Sequence, residues 1–200
     1  MISFEELEYY YNNNKEKFNE WVNKSTFELD YYTKEGQLLI LINTYKIENY
    51  IVDLLNEHFK NANIKFSHYD EFFRYYYPEL KHSNGPDIKV ITDKEKYFIE
   101  VKTFISDKSF NRTISFYSVA YKYGIEFAKK TYGEHMNVCD YRYKYDTRYM
   151  VFVLHKQNNI VCVFMNTSTG DIVAIKNDTL DGLYEIPKNA KKVSAKLDKQ

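Results

Sequence analysis

The sequence predicts an α/β protein, one sheet carrying helices on its faces, and three observations predict it. Two long stretches, 37–60 and 114–131, carry apolar residues at the helical period, whereas 64–67, 87–92, 96–104, 148–154, 160–165 and 172–175 are short β-rich runs bounded by turn residues. The resulting order, helix, three strands, helix, strands, is that of a single sheet with flanking helices. Finally, 200 residues with 44% hydrophobic and 18% aromatic content suffice to bury a core as one domain.

Each element has its own warrant. Phe4, Leu7, Tyr10 or Tyr11, Phe18, Trp21 and Val22 recur at helical spacing, so 3–22 reads as one or two short amphipathic helices, and residues 1–35 as a helical extension. Ser25-Thr-Phe-Glu28 has the capping-box pattern and predicts another short helix. The core, 37–175, opens with the helix 37–60 after Gly36. A strand at 64–67 precedes an aromatic helix or loop, Tyr69 to Tyr77, that Pro78 stops. Ser83-Asn-Gly-Pro86 is turn chemistry leading into the strand Asp87–Thr92. The charged turn Asp93–Lys96 joins it to Lys96–Phe104, a hairpin. A polar loop, 105–112, then leads to the helix 114–131, which Gly133 ends, and three strands close the core. The stretch 187–200, with Lys191, Lys192, Lys196 and Lys199, reads as a flexible basic tail.

Composition excludes several classes. The longest apolar run, Leu38 to Ile42, is far short of the ~18–20 residues of a membrane helix. The acidic start, Met1-Ile-Ser-Phe-Glu-Glu, lacks the basic and apolar regions of a signal peptide. Cys139 and Cys162 are too few for a disulfide framework and show no CxxC spacing, so a reducing, cytoplasmic setting is the expectation. The 28 basic and 28 acidic residues cancel, but unevenly: residues 1–60 hold 6 basic and 11 acidic groups, residues 101–150 hold 9 and 5. A wholly basic nucleic-acid binder is excluded, while a polyanion gripped by the later half stays open. With no Gly-rich phosphate loop and no G-x-S-x-G elbow, ATP-driven and serine-hydrolase readings have no support.

One constellation carries chemistry. In a strand, residues two apart share a face, so Phe98, Glu100, Lys102 and Phe104 point one way while Ile99, Val101 and Thr103 point the other. A carboxylate and an ammonium between two aromatics are poor packing material, because burying either unpaired costs several kcal/mol. If the hairpin closes through 93–96, Asp87 comes to the neighbourhood of Glu100 and Lys102. Two carboxylates so placed suit Mg²⁺ or Mn²⁺, and the adjacent lysine can orient or deprotonate water and offset charge on a phosphate. In the helix 37–60, Leu41, Glu48 and Leu55 form one column, which places Glu48 on the apolar stripe rather than the solvated face.

Pro86-Asp87, twelve intervening residues, then Glu100-Val-Lys102 resembles the PD-(D/E)xK nuclease superfamily, the restriction-endonuclease-like fold. The resemblance implies a mixed β-sheet with flanking helices and a divalent-metal-dependent endonuclease. Asp87 and Glu100 would bind the metal with the Val101 carbonyl, Lys102 would be catalytic, and Glu48 would match a helix glutamate that members often carry near the metal. The departure is the missing Gln four residues before a tyrosine: Tyr117 and Tyr121 have the spacing without it, which argues against a RecB-type exonuclease. The expected role is cleavage of DNA in restriction or phage defence. DNA-repair or junction processing, a viral RNA endonuclease, and a non-catalytic nucleic-acid-binding module on the same fold are the alternatives. Such folds often dimerise to cut two strands, so a homodimer belongs to the expectation, whereas a membrane partner does not.

Around this centre, Lys108, Asn111 and Arg112 are expected to hold phosphates from the loop after the strand, and Lys122 from the following helix. The five histidines form no metal cluster and read as structural; His82, in a loop five residues before Asp87, is the one to weigh as a third-shell or substrate contact. The 21 tyrosines, clustered at 9–11, 31–32, 75–77 and 141–149, read as core and interface filler, although tyrosines can also stack on bases.

Overall fold

The structure, a computed structural model, describes residues 2–24, 32–69, 75–76, 85–133 and 145–190. They fall into two compact units: one takes in the described residues up to Lys46, 75–76 and those from Leu183, the other those between Ile47 and Tyr69 and between Gly85 and Gly182.

The first unit is helical. Strand β1 (Ile2–Ser3) pairs antiparallel with β3 (Tyr75–Tyr76), and α1 (Phe4–Asn13) follows at once. Ser3 and Glu6 cap α1 reciprocally: the Glu6 N–H donates to the Ser3 hydroxyl at 3.1 Å and the Ser3 N–H donates to the Glu6 carboxylate at 2.9 Å. The capping box expected at 25–28 lies outside the described residues. Helix α2 (Lys15–Lys24) and the first part of α3 (Lys34–His58) complete a core of Phe4, Leu7, Phe18, Leu38, Leu39 and Ile42. A Cβ at Gly36 would stand 2.7 Å from the Ala190 carbonyl oxygen, so this helix position requires glycine.

The second unit is a mixed six-stranded sheet in the order β2-β4-β5-β6-β7-β8, with helices. Its strands are β2 (Ile64–His68), β4 (Ile88–Thr92), β5 (Lys96–Phe104), β6 (Thr147–Lys156), β7 (Asn159–Asn166) and β8 (Ile172–Thr179). All neighbours are antiparallel except β5 and β6, which are parallel and linked through α4 (Asp107–Tyr123) and α5 (Ile125–Tyr132). A parallel pair needs such a crossover. Met150, Phe152 and Leu154 of β6 meet Phe110, Phe116, Tyr117 and Tyr121 of α4, and Val151 and Val153 are buried on the reverse face. Covered on both sides, β6 can be apolar throughout its middle.

Three expectations need correction. The segment 105–112 is not a loop: α4 starts at Asp107, and only Phe110 in its first turns is buried, so an exposed helical face read as polar coil. The helix expected over 114–131 is broken at Gly124, whose φ of 95° ends α4 and allows α5 to start in a new direction. Where an aromatic helix or loop was expected, 75–76 is a strand, paired with a chain segment too distant for local pattern to show it.

Candidate functional site

The hairpin β4–β5 builds the site. Its register pairs Ile88 with Ile99 and Lys89 with Phe98, so one step further Asp87 stands opposite Glu100. Strand β4 starts at Ile88 while β5 runs on to Phe104, so the ladder with β4 stops short of residues 101–104 on that edge of β5. Asp87 occupies that edge. Its Oδ2 accepts the Val101 N–H at 2.6 Å, and its own carbonyl accepts the Tyr69 N–H at 3.0 Å. The N–H and C=O of one strand residue face the same neighbour; the Val101 carbonyl therefore opens on the edge where Asp87 sits.

Glu100 is 6% exposed, and the Lys102 Nζ lies 3.2 Å from its Oε1. Both face α4, whose Tyr117 is close enough to act electrostatically on Lys102. From α3, Glu48 lies at the border of the buried stripe, which runs through Ile47 and Ile51 rather than down the 41–48–55 column. Its Oε2 is 3.7 Å from His68 Nδ1, and His68 is buried on β2.

The electrostatics record this convergence. Burial pushes the Asp87 carboxyl well above the usual carboxylate range, and the charges of Glu100 and Glu48 push it further, against the Val101 N–H and Lys102. Part of the Asp87 residue still meets solvent, while its carboxyl is desolvated. Burial by itself would pull Lys102 down; Glu100, Tyr117 and Asp87 outweigh it and hold the ammonium above its ordinary value. Lys102 is therefore a cation at neutral pH, suited to offsetting phosphate charge and not to removing a proton.

The donor set fits a hard divalent cation. Two carboxylates and a backbone carbonyl are oxygen ligands, and Mg²⁺ is commonly held by one or two carboxylates, with waters and substrate oxygens completing its shell. Among the described residues no group of three or more His, Cys, Asp or Glu side chains is preformed to hold a metal. The charge of Glu48 acts on Asp87 beside that of Glu100.

Two of the four flanking residues are engaged within the chain. Lys108 and Asn111 are exposed on the first turns of α4. Arg112 Nη2 donates to the Tyr132 carbonyl at the end of α5, and the Lys122 Nζ is 2.7 Å from Asp171. His82 lies outside the described residues. A cavity of about 530 Å³ lies elsewhere, on the reverse face, lined by Leu54, Leu55, Phe66, Ile99 and Phe164; none of the four charged residues borders it. Sequence reasoning passed over His68 and Tyr69: the packing of α3 sets Glu48 beside His68, and the β2–β4 register brings Tyr69 beside Asp87. No helix among the described residues is long and apolar enough to cross a membrane. No family model matches the sequence, and neither a curated protein nor a solved structure matches it.

Proposed function

We propose that this chain is a divalent-metal-dependent endonuclease of the restriction-endonuclease-like fold that hydrolyses DNA phosphodiester bonds. One observation carries the reading: Asp87 and Glu100 stand across one hairpin, tied by the Asp87–Val101 hydrogen bond and the Glu100–Lys102 pair. Mg²⁺ or Mn²⁺ would be held by Asp87, Glu100 and the Val101 carbonyl, with Glu48 adding negative charge. When bound, the ion supplies Lewis acidity toward the phosphoryl oxygen and lowers the pKa of water. Lys102, a fixed cation, orients the phosphate and offsets the charge that builds on it, and the Val101 N–H keeps Asp87 aimed at the edge.

The lack of a preformed ligand triad among the described residues favours a second reading, a nuclease fold kept only to bind nucleic acid. One assay separates them. Purified protein with Mg²⁺ or Mn²⁺ is offered plasmid, single-stranded DNA and RNA beside Asp87→Ala and Lys102→Ala. Cleavage that chelator and both variants abolish supports the enzyme; binding without cleavage, unchanged in either variant, supports the module.

A further inference from the structure

The sheet face that carries Glu100 and Lys102 continues across β4 to the end of β2. The registers pair Ser67 with Lys89 and Lys89 with Phe98, so Tyr69, Asp87 and Glu100 fall in the next row. Adjacent strands are ~4.8 Å apart, which puts the Tyr69 backbone about 10 Å from that of Glu100, a span that one nucleotide bridges.

Tyr69 does not behave as core filler. It is 42% exposed, while its ring rests on Phe98 with centroids 4.7 Å apart and planes at 59°. Phe98 is only 8% exposed, so the outer ring has a rigid floor. Two ammonium groups lie over the pair: Lys89 Nζ over the Tyr69 ring, 6.0 Å from its centroid, and Lys96 Nζ over that of Phe98 at 5.4 Å. A partly exposed aromatic ring beside two flexible lysines, in the row of two carboxylates, offers a nucleotide what it needs: a surface for the base and cations for the phosphates.

We propose that Tyr69, backed by Phe98 and flanked by Lys89 and Lys96, is a stacking subsite for an unpaired base next to the phosphate at Asp87 and Glu100. The substrate is then single-stranded or locally opened nucleic acid, because in a duplex the base faces are covered by their neighbours. The inference rests on the nuclease reading for its phosphate, but its test does not.

Binding of a short labelled single-stranded DNA is followed by fluorescence anisotropy in chelator, where no metal-dependent cleavage occurs, with the matching duplex as the second arm. Tyr69→Ala should weaken single-strand binding by about 5- to 150-fold, the loss of one stacked base. Tyr69→Phe should restore it, and the duplex arm should not respond. Lys89→Ala and Lys96→Ala should each lower the slope of log affinity against log salt by about 0.7. Unchanged single-strand binding in Tyr69→Ala, an equal loss for duplex, failure of Tyr69→Phe to restore binding, or no binding by the parent chain would each overturn the subsite. Cleavage that survives Tyr69→Ala with unchanged binding removes the subsite and leaves the nuclease standing; a stacking loss in a chain that never cleaves does the reverse.

Discussion

Asp87→Asn should make the metal-free protein more stable at neutral pH, although it removes a proposed ligand. Burial and the carboxylates of Glu100 and Glu48 raise the Asp87 carboxyl well above its usual range. Unfolded, the same group titrates near 3.9. Between those two pH values the folded chain holds a proton that the unfolded chain has released, so stability falls as pH rises from about 4 through the folded value. Each pH unit by which the carboxyl is raised costs about 1.4 kcal/mol above that window, or roughly 3–5 °C in Tm for a chain of this length. Asparagine carries no such cost and its amide oxygen can still accept the Val101 N–H. Thermal melts in chelator from pH 4 to 8 should therefore show the two proteins converging near pH 4 and the variant melting several degrees higher at pH 8. Adding Mg²⁺ or Mn²⁺ should raise the parent alone, by about 2.7 kcal/mol at a hundred times the dissociation constant. A variant less stable than the parent at pH 8, or a difference that does not change with pH, would refute the crowding of carboxylates at this edge.

Other consequences follow from packing and charge. Lys102→Ala should abolish cleavage while calorimetry still detects metal binding to Asp87 and Glu100; loss of both would assign the lysine to holding the site together. Gly170→Ala should destabilise by about 1–3 kcal/mol in denaturant melts, because φ is +69° and the added Cβ would stand 2.4 Å from the Ser118 carbonyl oxygen; an unchanged midpoint would contradict that approach. Phe152→Ala, which empties the centre of the α4–sheet core, should cost about 3–5 kcal/mol by the same measurement, and a cost near zero would mean that the core is not closed there. Burial and the nearby Asp178 push the Cys162 thiol up to about 12, so mass spectrometry after exposure to a thiol reagent should find it unmodified until the chain is unfolded; prompt native labelling would contradict its burial.

What could be read from the sequence divides along the range of the interactions. Strand β5 occupies Lys96–Phe104 as expected, because its alternation and the turn at 93–96 are local, and the same hairpin brings Asp87 opposite Glu100. Arg112 and Lys122 also stand where their numbers suggested, near the strand and on the helix. Their charges are nevertheless spent on a carbonyl of α5 and on Asp171, partners set by the break at Gly124 and by the β7–β8 turn. A basic residue in sequence is only an available charge; the tertiary neighbour decides whether it remains for a ligand. Tyr69 is the converse. Among 21 tyrosines its letter carries no signal, and the clusters drew attention elsewhere. Its meaning comes from register alone: one step of slip in β2 against β4 would turn its ring to the opposite face and away from the Asp87 row. The carboxylates were legible because burying charge in a strand is costly enough to demand a reason, whereas an exposed aromatic costs little and reveals itself only by what stands beside it.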